Sequence, residues 1–209
     1  MTDPRELATH GPVIPVIVID RVEQAVPMAR ALVEGGIRVL EVTLRTPAAL
    51  GAIEAIAREV PAAIVGAGTV RSAADAAAAR SAGAVFAVSP GFTTSVDEAC
   101  RAHGLALLPG VATATEVMRA AEAGYTFLKF FPAVAAGGTA LLKAWAGPFP
   151  DIVFCPTGGI GAATAVDYLA LANVVAVGGS WLTPAEALAA EDWPRITRLA
   201  REAVALRVA

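Results

Sequence analysis

Histidine, cysteine and lysine are scarce in this chain, and the scarcity excludes several functions. The two histidines, His10 and His103, are too few and too scattered for a His-rich metal site. The two cysteines, Cys100 and Cys155, lie far apart and make no metal-binding spacing. Long apolar runs are missing as well. Hydrophobic residues make up 56% of the sequence, yet Gly, Pro or a charge interrupts every run before the roughly 18–20 residues that span a bilayer. The N-terminal stretch lacks the basic-then-apolar layout of a signal peptide. Basic clusters are absent and the formal net charge is -3, which argues against nucleic acid as a partner. No apolar run leads into a GxGxxG turn opening a helix, so the dinucleotide-binding doubly wound sheet loses its main signal. The expectation is a soluble cytoplasmic protein with no structural metal and with neither nucleic acid nor membrane as partner.

The chain does contain a strict alternation of short apolar runs and helical stretches. Strands are expected at 13–18, 39–43, 64–67, 85–88, 105–109, 126–132, 152–155 and 174–177. Helices are expected at 22–34, from Pro47 onward, after a Ser72 cap, at 94–103, after a Thr115 cap, and at 139–145 and 162–171. A short helix at 184–190 and a last one at 194–208 close the order. Continuous apolar strands separated by helices imply a parallel sheet covered by helices. About eight such units in 209 residues predict an α/β (β/α)₈ TIM barrel, a single domain over 1–209 with a short N-terminal helix.

Within that frame Lys129 stands out, held in Thr126-Phe127-Leu128-Lys129-Phe130-Phe131-Pro132. Burying an ammonium there favours the neutral amine, which is a nucleophile toward ketones. The plainer alternative is a lysine that snorkels from a strand end to water. Against it, the chain has only two lysines, Lys129 and Lys143, beside fourteen arginines. Arginine cannot supply a deprotonatable amine, so a lysine kept at an apolar position favours a chemical role.

Barrel sites form at the C-terminal ends of the strands. There the sequence places Glu41, Thr43 and Arg45, which alternate and so can share a face. Glu41 among apolar neighbours suits a general acid/base, or else a structural ion pair with Arg45 or another arginine. Arg45 presents a planar fork to a carboxylate. Thr69 either meets substrate or caps the following helix. Gly158-Gly159 and Gly178-Gly179-Ser180 end two neighbouring runs, where barrels frequently bind phosphate beside a short extra helix; the alternative is two tight turns.

Taken together, six motifs in order resemble the 2-keto-3-deoxy-6-phosphogluconate (KDPG) and 4-hydroxy-2-oxoglutarate (KHG) aldolase family. They are Glu41-Val42-Thr43-Leu44-Arg45-Thr46, Gly66-Ala67-Gly68-Thr69-Val70, Ser89-Pro90-Gly91, Phe127 to Ala133, Phe154 to Ile160, and Gly178-Gly179-Ser180-Trp181. The resemblance implies a Schiff-base lyase of the Entner–Doudoroff pathway, with Lys129 forming the imine and Glu41 as general acid/base. It implies Arg45 and Thr69 as pyruvate-carboxylate ligands, Pro90 and Phe131 as substrate contacts, and Gly158, Gly159, Gly179 and Ser180 as phosphate holders. It also implies a homotrimer, a phosphorylated 2-keto acid sugar and pyruvate as ligands, no cofactor and no metal. Some relatives carry an arginine where this chain has Ile17-Val18-Ile19-Asp20, which puts more of the carboxylate binding on Arg45. Rival substrates for the same chemistry are 4-hydroxy-2-oxoglutarate and the phosphogalactonate epimer. A sugar-phosphate isomerase or epimerase would not need Lys129 in an apolar strand, and a non-catalytic phosphosugar-binding barrel would bind ligand but form no covalent adduct.

Overall fold

The computed structural model describes residues 3–206. α1 (Arg5–Ala8) precedes β1 (Val13–Ile17), and α2 (Ala25–Glu34) leads to β2 (Val39–Thr43). The order continues with α3 (Ala49–Glu59), β3 (Ile64–Gly68), α4 (Ala73–Ser81), β4 (Phe86–Val88), α5 (Thr94–Ala102), β5 (Ala106–Leu108) and β6 (Gly110–Val111). It ends with α6 (Ala114–Glu122), β7 (Phe127–Phe130), α7 (Gly138–Trp145), β8 (Val153–Pro156), α8 (Ala162–Leu169), β9 (Val177–Gly179), α9 (Ala185–Ala189) and α10 (Trp193–Val204).

The strand pairs are parallel, in a six-stranded sheet ordered β5-β4-β3-β2-β1-β9 and a three-stranded sheet ordered β6-β7-β8. Isolated parallel bridges, Phe154 with Val174 and Thr157 with Gly178, run between the β8 and β9 sides. The sheet surface is curled, because one inner cluster joins residues of distant strands. Ile14, Val39, Phe86, Val88, Leu108, Phe127 and Cys155 pack together, with Leu7 of α1 among them. A flat sheet could not bring β1, β4 and β8 to one cluster. Outside it, the helices bury a second and larger cluster against the outer sheet face, including Met28, Leu32, Ile53, Ile56 and Ile196. These amphipathic helices are stabilised by that burial more than by propensity.

Several local expectations change. The helix expected at 22–34 splits into a 3₁₀ turn, Val22–Gln24, and α2. Pro27 has no N–H to give the carbonyl four residues back, so one α-helix cannot run through. The strand expected at 105–109 breaks at Pro109 into β5 and β6, since proline cannot donate to a ladder. Thr113, not Thr115, caps α6, in a capping box with Glu116. The helix expected from Pro47 begins at Ala49. The strand expected at 174–177 lies at Val177–Gly179, where it pairs with Val13, Ile14 and Pro15 of β1. Gly178 and Gly179 are therefore strand residues rather than a turn. The last helix ends at Val204, and the expected stretch 207–208 lies outside the described residues.

Gly66 makes the inner core possible. A Cβ built there would stand 2.5 Å from the Phe86 ring, which is fully buried and has nowhere to go. Overpacking of this kind costs about 1–3 kcal/mol. Gly66→Ala is expected to lower stability in urea unfolding by about that amount. Adding Phe86→Leu should cost less in that background than alone, because the two sites share one volume. Additive losses in the double variant would show that the two residues do not compete for space.

Candidate active site

β2 and β7 carry the central pair. Glu41 sits at the middle of β2 and Lys129 in β7, both with almost no exposed surface. Lys129 Nζ lies 3.3 Å from Glu41 Oε1, with 4% and 3% of the side chains exposed. Two features create room for this pair. Gly68 faces the Glu41 carboxyl, where a Cβ would stand 2.7 Å from Cγ and closer still to Oε1. Gly110, in register with Lys129, packs against the backbone of Ser89 and Pro90 with no space for a side chain. On the other side of Lys129 its register partner is Cys155, whose thiol is pushed up to about 12 by burial and so stays protonated. The Phe131 ring centre lies 5.1 Å from Lys129 Nζ, over the amine. A buried amine, a carboxylate at hydrogen-bonding distance and an aromatic ring can together bind a ketone covalently and move protons at the adjacent carbons.

Arg45 lies beyond the end of β2, and its Nε donates to Thr69 Oγ1 at 3.0 Å. The alternative pairing of Glu41 with Arg45 does not occur; Glu41 meets Lys129 instead. Thr69 does not cap the following helix either. Ser72 does, accepting from Asp75 N–H at 3.1 Å, while Thr69 holds a left-handed φ of 59°. A threonine in that region is strained, a state that persists only where the surroundings enforce it.

A cavity of about 120 Å³ opens next to this pair. Its lining brings together Arg45, Phe131, Gly158, Gly159, Gly179 and Ser180, along with Val16, Val18, Thr157, Ile160 and Gly178. Arg45 is the one charged residue in that lining. Lys129 and Glu41 are not in that lining; Phe131, whose ring stands over the Lys129 amine, lines it and links the two. Thr69 reaches the cavity only through Arg45, and Pro90 stands outside it at the exposed end of β4. Thr157 belonged to a recognised motif but had no assigned role, and apolar Val16 and Val18 carried no signal at all.

The glycines differ in why they are glycine. Gly158 and Gly159 have φ of 102° and 79°, which other residues rarely adopt. Gly178 and Gly179 are short of space instead: a Cβ would strike the Thr157 side chain at the first and the Trp181 ring at the second. α9, expected beside a phosphate, lines an adjoining cavity of about 560 Å³ through Ala185, Leu188 and Ala189, and that cavity shares Val16, Val18 and Ser180 with the first. Another opening of about 370 Å³, under Arg101 and Tyr125, lies at the N-terminal ends of β5 and β7, away from Lys129 and Glu41. Among the described residues no group of three His, Cys, Asp or Glu side chains could hold a metal ion.

Comparison with known proteins agrees with this geometry. The family model "KDPG and KHG aldolase" matches residues 5–199. A 2-dehydro-3-deoxy-phosphogluconate aldolase of Pseudoalteromonas atlantica is 56% identical over 201 residues, covering 96% of this chain and 94% of the relative. The KHG/KDPG aldolase of Escherichia coli is 55% identical, over 97% of this chain and 95% of its own length. Among solved structures, KDPG aldolase from Legionella pneumophila, with pyruvate captured as a covalent carbinolamine, superposes with a TM-score of 0.94. It is 47% identical and covers 97% of this chain and 98% of its own. The Zymomonas mobilis aldolase with 3-phosphoglycerate gives 0.93 at 47% identity, with 100% of each chain covered. With one family model over most of its length and relatives more than half identical, this chain belongs to the KDPG and KHG aldolase family.

Proposed function

We propose that this protein is a class I aldolase that cleaves 2-keto-3-deoxy-6-phosphogluconate to pyruvate and glyceraldehyde 3-phosphate. The observation that carries the reading is the buried Lys129–Glu41 pair at 3.3 Å, next to a cavity with one cation, Arg45, and a glycine-lined end. Lys129 Nζ adds to the C2 ketone, and loss of water from the carbinolamine leaves an iminium. Glu41 takes the C4 hydroxyl proton. The C3–C4 bond breaks, its electron pair passes to the iminium nitrogen, and glyceraldehyde 3-phosphate leaves. The resulting enamine is protonated at C3, and water hydrolyses the imine to release pyruvate and the free amine. Arg45, held by Thr69, receives the pyruvate carboxylate, and Phe131 packs on the substrate. Pro90 contacts it from the end of β4. Gly158, Gly159, Gly179 and Ser180 hold the phosphate through backbone N–H groups and a hydroxyl. The captured carbinolamine and the bound 3-phosphoglycerate of the two structural relatives support the two ends of this arrangement.

A second substrate is 4-hydroxy-2-oxoglutarate, a reading favoured by the double name of the 55% identical Escherichia coli relative. The remaining architecture follows the same proposal. β5 and β6 count as one strand broken at Pro109, and the strands close through the Phe154–Val174 and Thr157–Gly178 bridges into one (β/α)₈ domain. The protein works in the cytoplasm as a homotrimer without cofactor or metal. Among the described residues no helix is long and apolar enough to cross a membrane, which is consistent with that location.

Three experiments test the chemistry. Borohydride with pyruvate should add one reduced pyruvyl group, mapped by peptide mass to Lys129; labelling at Lys143, or none in active protein, would refute the imine. Glu41→Gln should slow exchange of pyruvate methyl protons into deuterated water by about 10²–10⁴ while trapping persists. Wild-type exchange in that variant would remove Glu41 as the proton carrier. For the phosphate end, Gly159→Val forces a β-branched residue into a φ of 79°. It should lower kcat/KM for the phosphorylated substrate by roughly 10², or about 3 kcal/mol, with pyruvate trapping nearly intact. Parallel loss of both activities in a folded variant would show that the glycines serve the fold and not a phosphate.

A further inference from the structure

The stretch between β2 and α3 holds Arg45 outside any regular element, yet it is tied on both sides. The β1–β2 ladder ends at the pair Ile17 and Val42. Past that point Val18 becomes exposed, and Ile19 O has no ladder partner. Two threonine hydroxyls reach back to this end of β1. Thr43 Oγ1 donates to Ile17 O at 2.8 Å, and Thr46 Oγ1 donates to Ile19 O. On the opposite side, Leu44 N–H donates to Gly68 O at 2.9 Å and Arg45 Nε to Thr69 Oγ1 at 3.0 Å. Four consecutive residues are thus anchored, the outer two toward β1 and the inner two toward β3, and Arg45 is the only one of the four whose side chain lines the cavity.

We infer that Thr43 and Thr46 are positioning residues: their hydroxyls tie both ends of the Arg45 stretch to the end of β1 and so fix the direction from which Arg45 presents its guanidinium. Part of the Arg45 guanidinium is unoccupied. Its Nε is occupied by Thr69, and among the described residues no acceptor meets its two terminal NH₂ groups, so the fork is free for a planar carboxylate. A fork-to-fork contact has a narrow geometry, and a small displacement of the side-chain root misaligns both of its hydrogen bonds. Valine has the shape of threonine without the donor. At Thr46 it would leave Ile19 O without its partner, at Thr43 it would remove the hydroxyl from Ile17 O, and either change would release one tie of the Arg45 stretch. No group at the glycine end of the cavity depends on these two hydroxyls, so the effect should be confined to the carboxylate.

This inference rests on the carboxylate role proposed above for Arg45, and the test separates the two. The readout is the concentration of ketone that half-saturates borohydride trapping at Lys129, measured with pyruvate and with acetone, which has no carboxylate. Thr46, only partly buried, carries the test, with the fully buried Thr43→Val as the second variant. Thr46→Val is expected to raise the half-saturating pyruvate concentration by about tenfold, with the value for acetone and the trapping rate at saturation unchanged. Thr46→Ser keeps the donor and should restore wild-type behaviour. Arg45→Gln should raise the pyruvate value at least as much. If Arg45→Gln moves pyruvate alone but both threonine variants leave it where it was, or shift pyruvate and acetone equally, the positioning role is wrong and the aldolase reading stands. If Arg45→Gln also leaves pyruvate unmoved, the carboxylate role of Arg45 falls, and the inference with it.

Discussion

An amine and a carboxylate buried together 3.3 Å apart place the strongest constraint on this molecule. Neither is cheap to bury: the effective penalty in proteins is several kcal/mol per ion, and removing one partner leaves the other uncompensated. Mutual contact is the offset, and it demands that β2 and β7, which share no ladder, approach across the curled sheet. The surrounding sequence works toward that approach. Gly68 clears space for the Glu41 carboxyl, Gly110 lets β6 seat against the end of β4, and Cys155 fills the adjacent register position with a neutral thiol. Among the described residues, each of the two charged side chains has the other as its one hydrogen-bonding partner.

Above the pair, the cavity is asymmetric in charge. Its one cation is Arg45, a guanidinium fork tied by Nε to Thr69; the rest of the lining is uncharged and includes glycines, Thr157 and Ser180. A ligand with an anionic group at each end would meet two different kinds of site, a charged fork and a set of backbone N–H groups. Backbone N–H groups can hold a dianion without a formal positive charge, because their dipoles converge where glycine keeps the surface bare. The proposed reaction uses this asymmetry: the planar carboxylate is fixed beside the amine, and the phosphate is gripped away from the bond that breaks.

The element order was legible in the sequence because apolar runs and helical periodicity are properties of neighbouring residues. Lys129 and Glu41 were legible for a related reason: an ionisable residue inside an apolar run is anomalous wherever the strand ends up. Errors arose where partners far along the chain decide. The last strand was placed three residues early, since Val174-Val175-Ala176 read as more strand-like than Gly178-Gly179, yet β1 pairs with the glycines. The cap of α6 was misplaced because Thr113 and Thr115 both qualify locally, and the reciprocal bond with Glu116 chooses between them.

The sequence by itself determined the alternation of strands and helices, the chemical types at the strand ends, and the six motifs that place the chain in its family. It did so because those signals are local or copied along the chain in order. Only the tertiary structure decided that Glu41 pairs with Lys129 and not with Arg45, that Thr69 serves Arg45 and not a helix, and that Gly179 yields to Trp181 while Gly159 yields to its own φ. Each of these choices is a competition for the same partner or the same space among residues distant in sequence. Such competitions are settled by distances of a few ångströms that exist only once the strands have curled around one core.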